Sequence, residues 1–209
     1  MQFVRKTLAR PIRKDGNDMD TDSIQCLQHV IDETTRLVNG VSASQLGVST
    51  PCAEWTARDL INHITGGATM FAMSAEQGTV PDDVLGRLMG GDNLGDDPQG
   101  AWATAAARAM AAFALPGVLE RVVKLPFGEM PAGVALNIAV FDVATHAADL
   151  AAATGQTIEN TDLLETALAM GRQIIGPEMR TPGLFDAEQP VAADAPVVTR
   201  LLAFAGRRV

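Results

Sequence analysis

The stretch PAGVALNIAVFDVATHAADLAAATG, residues 131–155, decides the fold of this chain. It is apolar at almost every position, which predicts a helix from Pro131 to about Thr154 that is buried on most sides. Gly155 ends this helix. A helix buried in this way needs other helices around it, so the sequence predicts an all-α bundle. The few polar residues of the stretch are Asn137, Asp142, Thr145, His146 and Asp149.

The rest of the chain is typical of further helices joined by irregular loops, which favours a bundle over an alternating α/β sheet. The first helix is predicted to start near the N-cap Thr21 and to close at Asn39-Gly40. A second begins at Thr56, with Asp59 placed for a capping box. The β-branched run VLERVVKL, residues 118–125, indicates an extended segment or half of a hairpin. The remaining helices are predicted over about residues 83–89, 100–115, 161–175 and 197–205.

Composition supports close helix packing and argues against a nucleic-acid partner. Hydrophobic residues make up 47% of the 209 residues, aromatic residues only 4%, and tyrosine is absent. Much of the hydrophobic content is alanine, which has a high helix propensity and a small side chain. The formal net charge is −9, with 25 acidic and 16 basic residues. A surface of that sign repels phosphate backbones.

The first 18 residues differ from the rest because they contain five basic and two acidic residues. We predict that residues 1–18 are a disordered leader, or sequence upstream of a start at Met19. An arm that binds a membrane or a nucleic acid is the alternative. Arg and Lys interrupt the apolar stretches, which is untypical of a signal peptide. No run approaches the roughly 20 apolar residues of a membrane span. We therefore expect a soluble, cytoplasmic protein with no membrane partner.

Cysteine usage and catalytic motifs exclude several function classes. Cys26 and Cys52 form no CxxC pair, and two thiols in a chain of this length do not indicate a disulfide framework. We interpret both as free buried thiols, with Cys52 the one that could contact an active site. The sequence contains no GxSxG nucleophile elbow, no GxxxxGK[ST] or GxGxxG phosphate loop, and no HExxH motif.

Asp142 and His146 lie four residues apart, so both project from the same face of the predicted helix. A buried carboxylate needs a partner. Either the two side chains bond each other, or both bind a metal ion together with a third ligand. His63 is the candidate third ligand, since it lies on the apolar face of the second helix. A core histidine with an ordinary hydrogen-bond partner is the alternative at either position. The face around His63 carries Leu60, Ile64, Gly67 and Phe71.

Further side chains bear on this hypothesis. Asp149 could orient His146, as metal-binding histidines usually require, or it could cap or pair near the helix end. Gly66 and Gly67 have no side chains, which allows another helix or a ligand to approach closely. His29, the third histidine of the sequence, is predicted to be exposed on the first helix.

Two segments resemble a known family. STPCAEWTARDLINHITGG, residues 49–67, is similar to the TPCxxWxxxDLxxHxxGG segment of the DinB/YfiT-like metal-binding superfamily. DVATHAADLAAATGQ, residues 142–156, is similar to the DxxxHxxDLAxATGQ segment of its actinobacterial branch. That branch includes the metal-binding domain of mycothiol-dependent maleylpyruvate isomerase. GEMPAGVAL, GPEMRTPGLF and RLLAFAGR also resemble a shorter subfamily of this branch, and the similarity spans about residues 20–207.

The resemblance implies a DinB-like four-helix bundle that binds a divalent metal at one end. It implies a core over about residues 20–155 and a short helical extension over 156–209. His63, Asp142 and His146 would be the metal ligands, with water or substrate completing the coordination. Zn²⁺ is the expected metal and Ni²⁺ the second choice, with mycothiol as a co-substrate. Homodimers are common in the superfamily, so a homodimer is one expected assembly.

Three departures from the isomerase lead us to expect a different substrate. Asp142 stands where the isomerase has Glu, Ala148 stands where many members have Trp, and residues 156–209 are shorter than its C-terminal domain. The leading hypothesis is a metal-dependent thiol S-transferase or isomerase that acts on an electrophilic substrate with a low-molecular-weight thiol. The alternatives are a metal-dependent hydrolase, a non-catalytic metal- or thiol-binding protein, and a structural bundle with a vestigial polar cluster.

Overall fold

The computed structural model describes residues 16–52, 54–180 and 185–208. Over these residues the chain is mostly helical, with seven α-helices and one small hairpin. The predicted leader falls almost entirely outside this part of the chain, since only residues 16–18 are described. The α-helices are α1 (Gly16–Asn39), α2 (Ala57–Gln77), α3 (Asp82–Gly90), α4 (Pro98–Phe113), α5 (Ala132–Thr154), α6 (Thr161–Ile174) and α7 (Val197–Phe204).

Four of these helices form the bundle. In it α1 packs against α4 and α5, and α2 packs against the same two helices, so the order around the bundle is α1, α5, α2, α4. Consecutive helices α1 and α2 therefore lie diagonally across the core. Trp102 of α4 is fully buried and donates its indole N–H to Thr35 Oγ1 of α1 at 2.9 Å. The predicted four-helix bundle is confirmed.

Helix boundaries follow their local signals with one exception. The second helix has the expected capping box between Thr56 and Asp59, and Gly155 caps α5 with a φ of 71°. The first helix already includes Gly16, the first residue that the structure describes, so the predicted start near Thr21 is wrong. Threonine is only a few tenths of a kcal/mol less favourable than most residues inside a helix, so an N-cap residue does not force a helix to start there.

The run at residues 118–125 contributes one strand of a hairpin. Strand β1 (Val122–Leu125) pairs antiparallel with β2 (Gly128–Pro131), with Val122 opposite Pro131. Lys124 donates its backbone N–H to the carbonyl of Gly78, which joins the hairpin to the end of α2. The hairpin leads directly into α5 and so helps to set where that helix begins.

The central helix is α5, and it is apolar enough and long enough to cross a membrane. In the folded chain, however, 78% of its most apolar window is buried inside the protein. Helices α1, α2, α6 and α7 all pack against it. The apolar run that suggested a buried core helix is therefore covered by the chain's own helices.

Glycines allow two pairs of helices to pack closely, α2 with α3 and α6 with α5. A side chain at Gly66 of α2 would collide with the backbone carbonyl of Leu88, so α3 packs directly on the α2 backbone there. A side chain at Gly171 of α6 would collide with the ring of Phe141 on α5. The expectation that another helix comes close at Gly66 is met by α3.

Candidate metal centre

The first element of the site is the start of α2. The backbone N–H of Thr56 donates to Asp59 Oδ2 at 2.9 Å, and the backbone N–H of Asp59 donates to Thr56 Oγ1 at 3.2 Å. This capping box satisfies two N–H groups that a helix start would otherwise leave unpaired. It fixes the first turn of α2, and His63 follows in the second turn on the side that faces α5.

The second element is the middle of α5, which supplies Asp142 and His146. The site holds His63, Asp142 and His146 together, with one ligand atom from each lying within 4.8 Å of the others. His146 Nε2 is 3.6 Å from Asp142 Oδ1, too long for a hydrogen bond. The structure therefore does not show the simple alternative in which these two side chains satisfy each other.

The donor set fits a divalent cation. Metal–ligand bonds of about 2.0–2.2 Å place the donors of a tetrahedral zinc site about 3.3 Å apart. Here His146 Nε2 and Asp142 Oδ1 are 3.6 Å apart and all three donors lie within 4.8 Å of one another, so side-chain adjustment would bring them onto one ion. Two imidazoles and one carboxylate suit zinc and also nickel. Three protein ligands leave at least one coordination position open, as in catalytic zinc sites.

Burial keeps the His63 imidazole neutral, which is the form that binds a cation. Desolvation lowers the pKa of His63 to about 4, and the Asp142 carboxylate opposes this shift only in part. The Arg207 charge, and that of His146 whenever it is protonated, lower the pKa of His63 further because a positive charge repels an imidazolium. His63 is therefore a neutral imidazole at neutral pH, which is the form that binds metal.

The other ring nitrogen of His146 is held by Asp149. His146 Nδ1 lies 3.1 Å from Asp149 Oδ2, and Asp149 is 0% exposed. Burial alone would raise the pKa of Asp149, but hydrogen bonds and charges from His146 and Arg207 hold it below its usual value. An ionised carboxylate only accepts, so Nδ1 carries the proton and donates. That tautomer leaves Nε2 free toward Asp142, the arrangement usual for a metal-binding histidine.

Trp55 covers the two histidines. Its ring centroid is 4.6 Å from that of His63 and 5.8 Å from that of His146. The loop before α2 positions Trp55 through backbone hydrogen bonds from Trp55 to Cys52 and from Thr50 to Trp55. The residue before it has a φ of 68°, a left-handed conformation at a non-glycine position. This tight turn directs the indole over the site.

Cys52 lies beside the site, on the Asp149 side of His146. Its Sγ groups with His146 and Asp149 within 4.8 Å, whereas the metal-capable group that contains His63 and Asp142 does not include it. Burial raises the pKa of the Cys52 thiol to about 11. Both cysteines are only partly buried, so the expectation of two buried thiols is wrong on their burial. Cys52 is more exposed than predicted because it lies in the loop before α2 rather than on the buried face of a helix.

Arg207 is the site residue that sequence reasoning missed. It follows α7 and donates to both oxygens of Asp149, with its closest contact from Nη2 to Oδ2 at 2.9 Å. The closing RLLAFAGR motif contains it, but nothing in that motif indicates which carboxylate it binds. His29 is exposed, as predicted, and has no part in the site.

A cavity of about 470 Å³ lies elsewhere, between α2 and α4. It has no metal-capable cluster among the described residues. Its two charged lining residues already have partners, since Arg108 pairs with Glu76 and Asp97 caps the start of α4. The donor geometry rather than cavity size therefore identifies the candidate site. This cavity is lined by Thr65, Thr69, Asn93, Leu94, Asp97, Gly100, Ala101, Thr104, Ala105 and Arg108.

Comparison with known proteins finds a matching family model and two related sequences. The family model described as the mycothiol maleylpyruvate isomerase N-terminal domain matches residues 27–151. The uncharacterized proteins MT0763 and Rv0738, from two strains of Mycobacterium tuberculosis, are each 38% identical to this chain over 194 residues. The match covers 90% of this chain and 99% of each relative.

Two solved structures share the fold. The crystal structure of the mycothiol-dependent maleylpyruvate isomerase aligns with a TM-score of 0.59 at 18% identity, over 72% of this chain and 67% of that chain. YfiT from Bacillus subtilis, described as a probable metal-dependent hydrolase with an unusual four-helix bundle topology, aligns with a TM-score of 0.52 at 19% identity. That match covers 71% of this chain and 95% of YfiT. At these identities the likeness concerns the fold.

Proposed function

This chain belongs to the family of the mycothiol maleylpyruvate isomerase N-terminal domain, and from that membership we propose a metal-dependent thiol S-transferase or isomerase. Its co-substrate is a low-molecular-weight thiol such as mycothiol, and its second substrate is an electrophilic carbon compound. Zinc is the metal that we propose, with nickel as the alternative.

One observation carries the proposal. His63, Asp142 and His146 converge within 4.8 Å, and the fourth possible ligand nearby, Cys52, belongs to a different group on the other side of His146. A site with Cys52 as fourth ligand would be closed and structural in type. Because Cys52 lies outside the group of three converging ligands, this geometry favours a metal site with an open coordination position, where a substrate thiol can bind.

The protein's own residues have distinct tasks in this proposal. His63, Asp142 and His146 would hold the cation, and Asp149 keeps the proton of His146 on Nδ1. Trp55 covers the imidazoles and limits the access of water. When bound, a divalent cation favours the thiolate form of a coordinated thiol at neutral pH.

The reaction that follows is the attack of the thiol sulfur on the electrophilic carbon. A C–S bond forms, and the proton of the thiol passes to solvent. In a transferase the leaving group departs with its bonding electrons. In an isomerase the sulfur adds to one carbon of a C=C bond, and the π electrons move onto a conjugated carbonyl oxygen. After rotation about the resulting single bond, these electrons return to re-form the double bond, the C–S bond breaks, and the released thiolate takes up a proton from solvent.

A metal-dependent hydrolase is the second candidate, and the likeness to YfiT is the observation that favours it. It would use the same three ligands with water in place of the thiol. The two candidates differ in what they consume, because a hydrolase turns over without any added thiol.

The proposal also includes a cellular setting. We propose a cytoplasmic protein that binds neither nucleic acid nor membrane, in line with the net charge of −9 and the burial of α5. A homodimer is the assembly that we propose to test, by measuring the molar mass in solution.

The first experiment is elemental analysis of tag-free protein purified without chelator. We expect about one divalent ion per chain in the wild type and its loss in His63→Ala and Asp142→Ala. His29→Ala is the matched control, since His29 is exposed and remote from the site, and it should retain the metal. Wild-type protein that is metal-free as purified and binds no added zinc or nickel would refute the proposal.

The second experiment separates the two reaction classes. Metal-loaded protein is incubated with electrophiles such as maleyl compounds and aryl halides, with and without mycothiol, and thiol consumption or isomerisation is followed. Turnover only with thiol supports the transferase or isomerase. Turnover of ester or amide substrates without thiol selects the hydrolase instead.

A further inference from the structure

Arg207 approaches the candidate metal centre from the end of the chain. It lies beyond α7 and outside the family-matched stretch of residues 27–151. Its Nε is 3.2 Å from both oxygens of Asp149, and its Nη2 is 2.9 Å from Oδ2. The guanidinium therefore engages the whole carboxylate rather than a single oxygen.

The same carboxylate holds the metal-ligand candidate His146. Asp149 Oδ2 accepts from Arg207 Nη2 and also lies 3.1 Å from His146 Nδ1. Asp149 is 0% exposed, and the Arg207 side chain is only 15% exposed. A fully buried carboxylate is held in one orientation once both of its oxygens accept hydrogen bonds. Its orientation, and through it the orientation of the imidazole, follows from the position of Arg207.

Arg207 itself is held in place by its neighbours. Its backbone N–H donates to Leu202 at 2.9 Å, and its Nη1 donates to the carbonyl of Ala205 at 3.1 Å. Arg180 then fixes the end of α7 by donating to the carbonyls of Phe204 and Asp186. The guanidinium is thus anchored before any ligand binds.

We propose that Arg207 is a positioning residue of the metal centre, which fixes the Asp149 carboxylate so that His146 keeps its proton on Nδ1 and directs Nε2 toward Asp142 and His63. The C-terminal extension then completes the site rather than only covering the bundle. The inference rests on the proposed function, because it concerns the same three ligands.

The first test uses metal-free protein, so it does not depend on metal binding. Nitrogen-15 NMR of labelled histidines reports which ring nitrogen carries the proton, and the sequence has only three histidines to assign. We expect a single Nδ1–H tautomer for His146 in the wild type. We expect a mixture with the Nε2–H tautomer in Arg207→Met. Arg208→Met is the matched control, since Arg208 is the exposed neighbour, and it should match the wild type.

The second test measures zinc affinity by competition with a chromophoric chelator. Removing a residue that orients a metal-binding histidine typically weakens binding 10- to 100-fold, so we expect Arg207→Met to bind zinc about tenfold more weakly. Arg208→Met should bind as the wild type does. An unchanged tautomer together with unchanged zinc affinity in Arg207→Met would overturn the proposal.

Arg207→Lys covers the case in which the methionine variant does not fold. Lysine keeps the charge but lacks the planar fork that engages both carboxylate oxygens. We expect intermediate zinc affinity and partial loss of the single tautomer. If Arg207→Met fails to fold, a wild-type tautomer and wild-type affinity in Arg207→Lys would overturn the positioning role. Wild-type protein that binds no zinc would refute the proposed function instead, and the metal-free NMR would still decide the role of Arg207.

Discussion

Replacing Asp149 with alanine removes a carboxylate that is fully buried and that has two partners. The variant leaves Arg207, 15% exposed, without its carboxylate partner, and it leaves His146 Nδ1 unpaired. Removing one partner of a buried ion pair costs about 3–5 kcal/mol, because the remaining charge stays buried without compensation. We therefore expect the free energy of unfolding to fall by about that amount in Asp149→Ala.

A second ion pair in the same protein provides the control. Arg108 donates to Glu76 through Nε at 3.1 Å and Nη2 at 2.6 Å, a fork geometry like that of Arg207 and Asp149. These side chains are 40% and 30% exposed, so water screens them. Surface pairs contribute about 0–1 kcal/mol, and Glu76→Ala should lose no more than that.

The assay is equilibrium unfolding in urea, followed by circular dichroism at pH 7 with EDTA present. The chelator ensures that a loss of stability does not come from a loss of bound metal. The double variant Asp149→Ala with Arg207→Met should be more stable than Asp149→Ala alone, because the uncompensated charge is gone. Equal losses in Asp149→Ala and Glu76→Ala would refute the reasoning that burial sets the magnitude.

Three further predictions concern other parts of the molecule. His63 has a folded-state pKa of about 4 against an unfolded value of about 6.5, so below about pH 6.5 the unfolded state binds more protons. Metal-free wild type should therefore lose stability between about pH 6.5 and 4, measured as the melting temperature, and His63→Leu should lose less over that window. The Cys52 thiol has a pKa of about 11, so its alkylation by iodoacetamide, mapped by mass spectrometry, should be slow at pH 7 and accelerate up to about pH 11. Fast labelling at pH 7 would contradict the burial that we describe. Gly66→Ala should destabilise by about 1–3 kcal/mol because the methyl group meets the Leu88 carbonyl, whereas Gly86→Ala, with open space around it, should be neutral or slightly stabilising in urea unfolding.

Much of the fold could be predicted because its signals are local. The apolar run of α5, its terminal Gly155 and the Thr56–Asp59 capping box each act within a few residues. The four-residue spacing of Asp142 and His146 likewise places both on one helix face. Each of these inferences needs only the geometry of a single helix.

Other features depend on how helices pack, which spacing alone cannot give. That His63 of α2 faces Asp142 of α5 was one of two alternatives that the residues left open, and the family resemblance favoured it. Arg207 lies 58 positions from its partner Asp149, and an arginine near the end of a chain usually lies in solvent. Trp55 belongs to the segment of residues 49–67 that resembles the family. That segment does not specify the turn of the loop, which places the indole over the two histidines.

The diagonal arrangement of α1 and α2 has a consequence for how the protein folds. Since α1 and α2 do not pack side by side, the bundle joins α1 to α4 and α5, and α2 to α5, across several intervening elements of the chain. The contacts that assemble the site are therefore long-range in sequence, and bundles of high contact order fold more slowly than bundles of successive neighbours. A cation held between α2 and α5 would stabilise these long-range contacts, so its removal by a chelator would lower the free energy of unfolding.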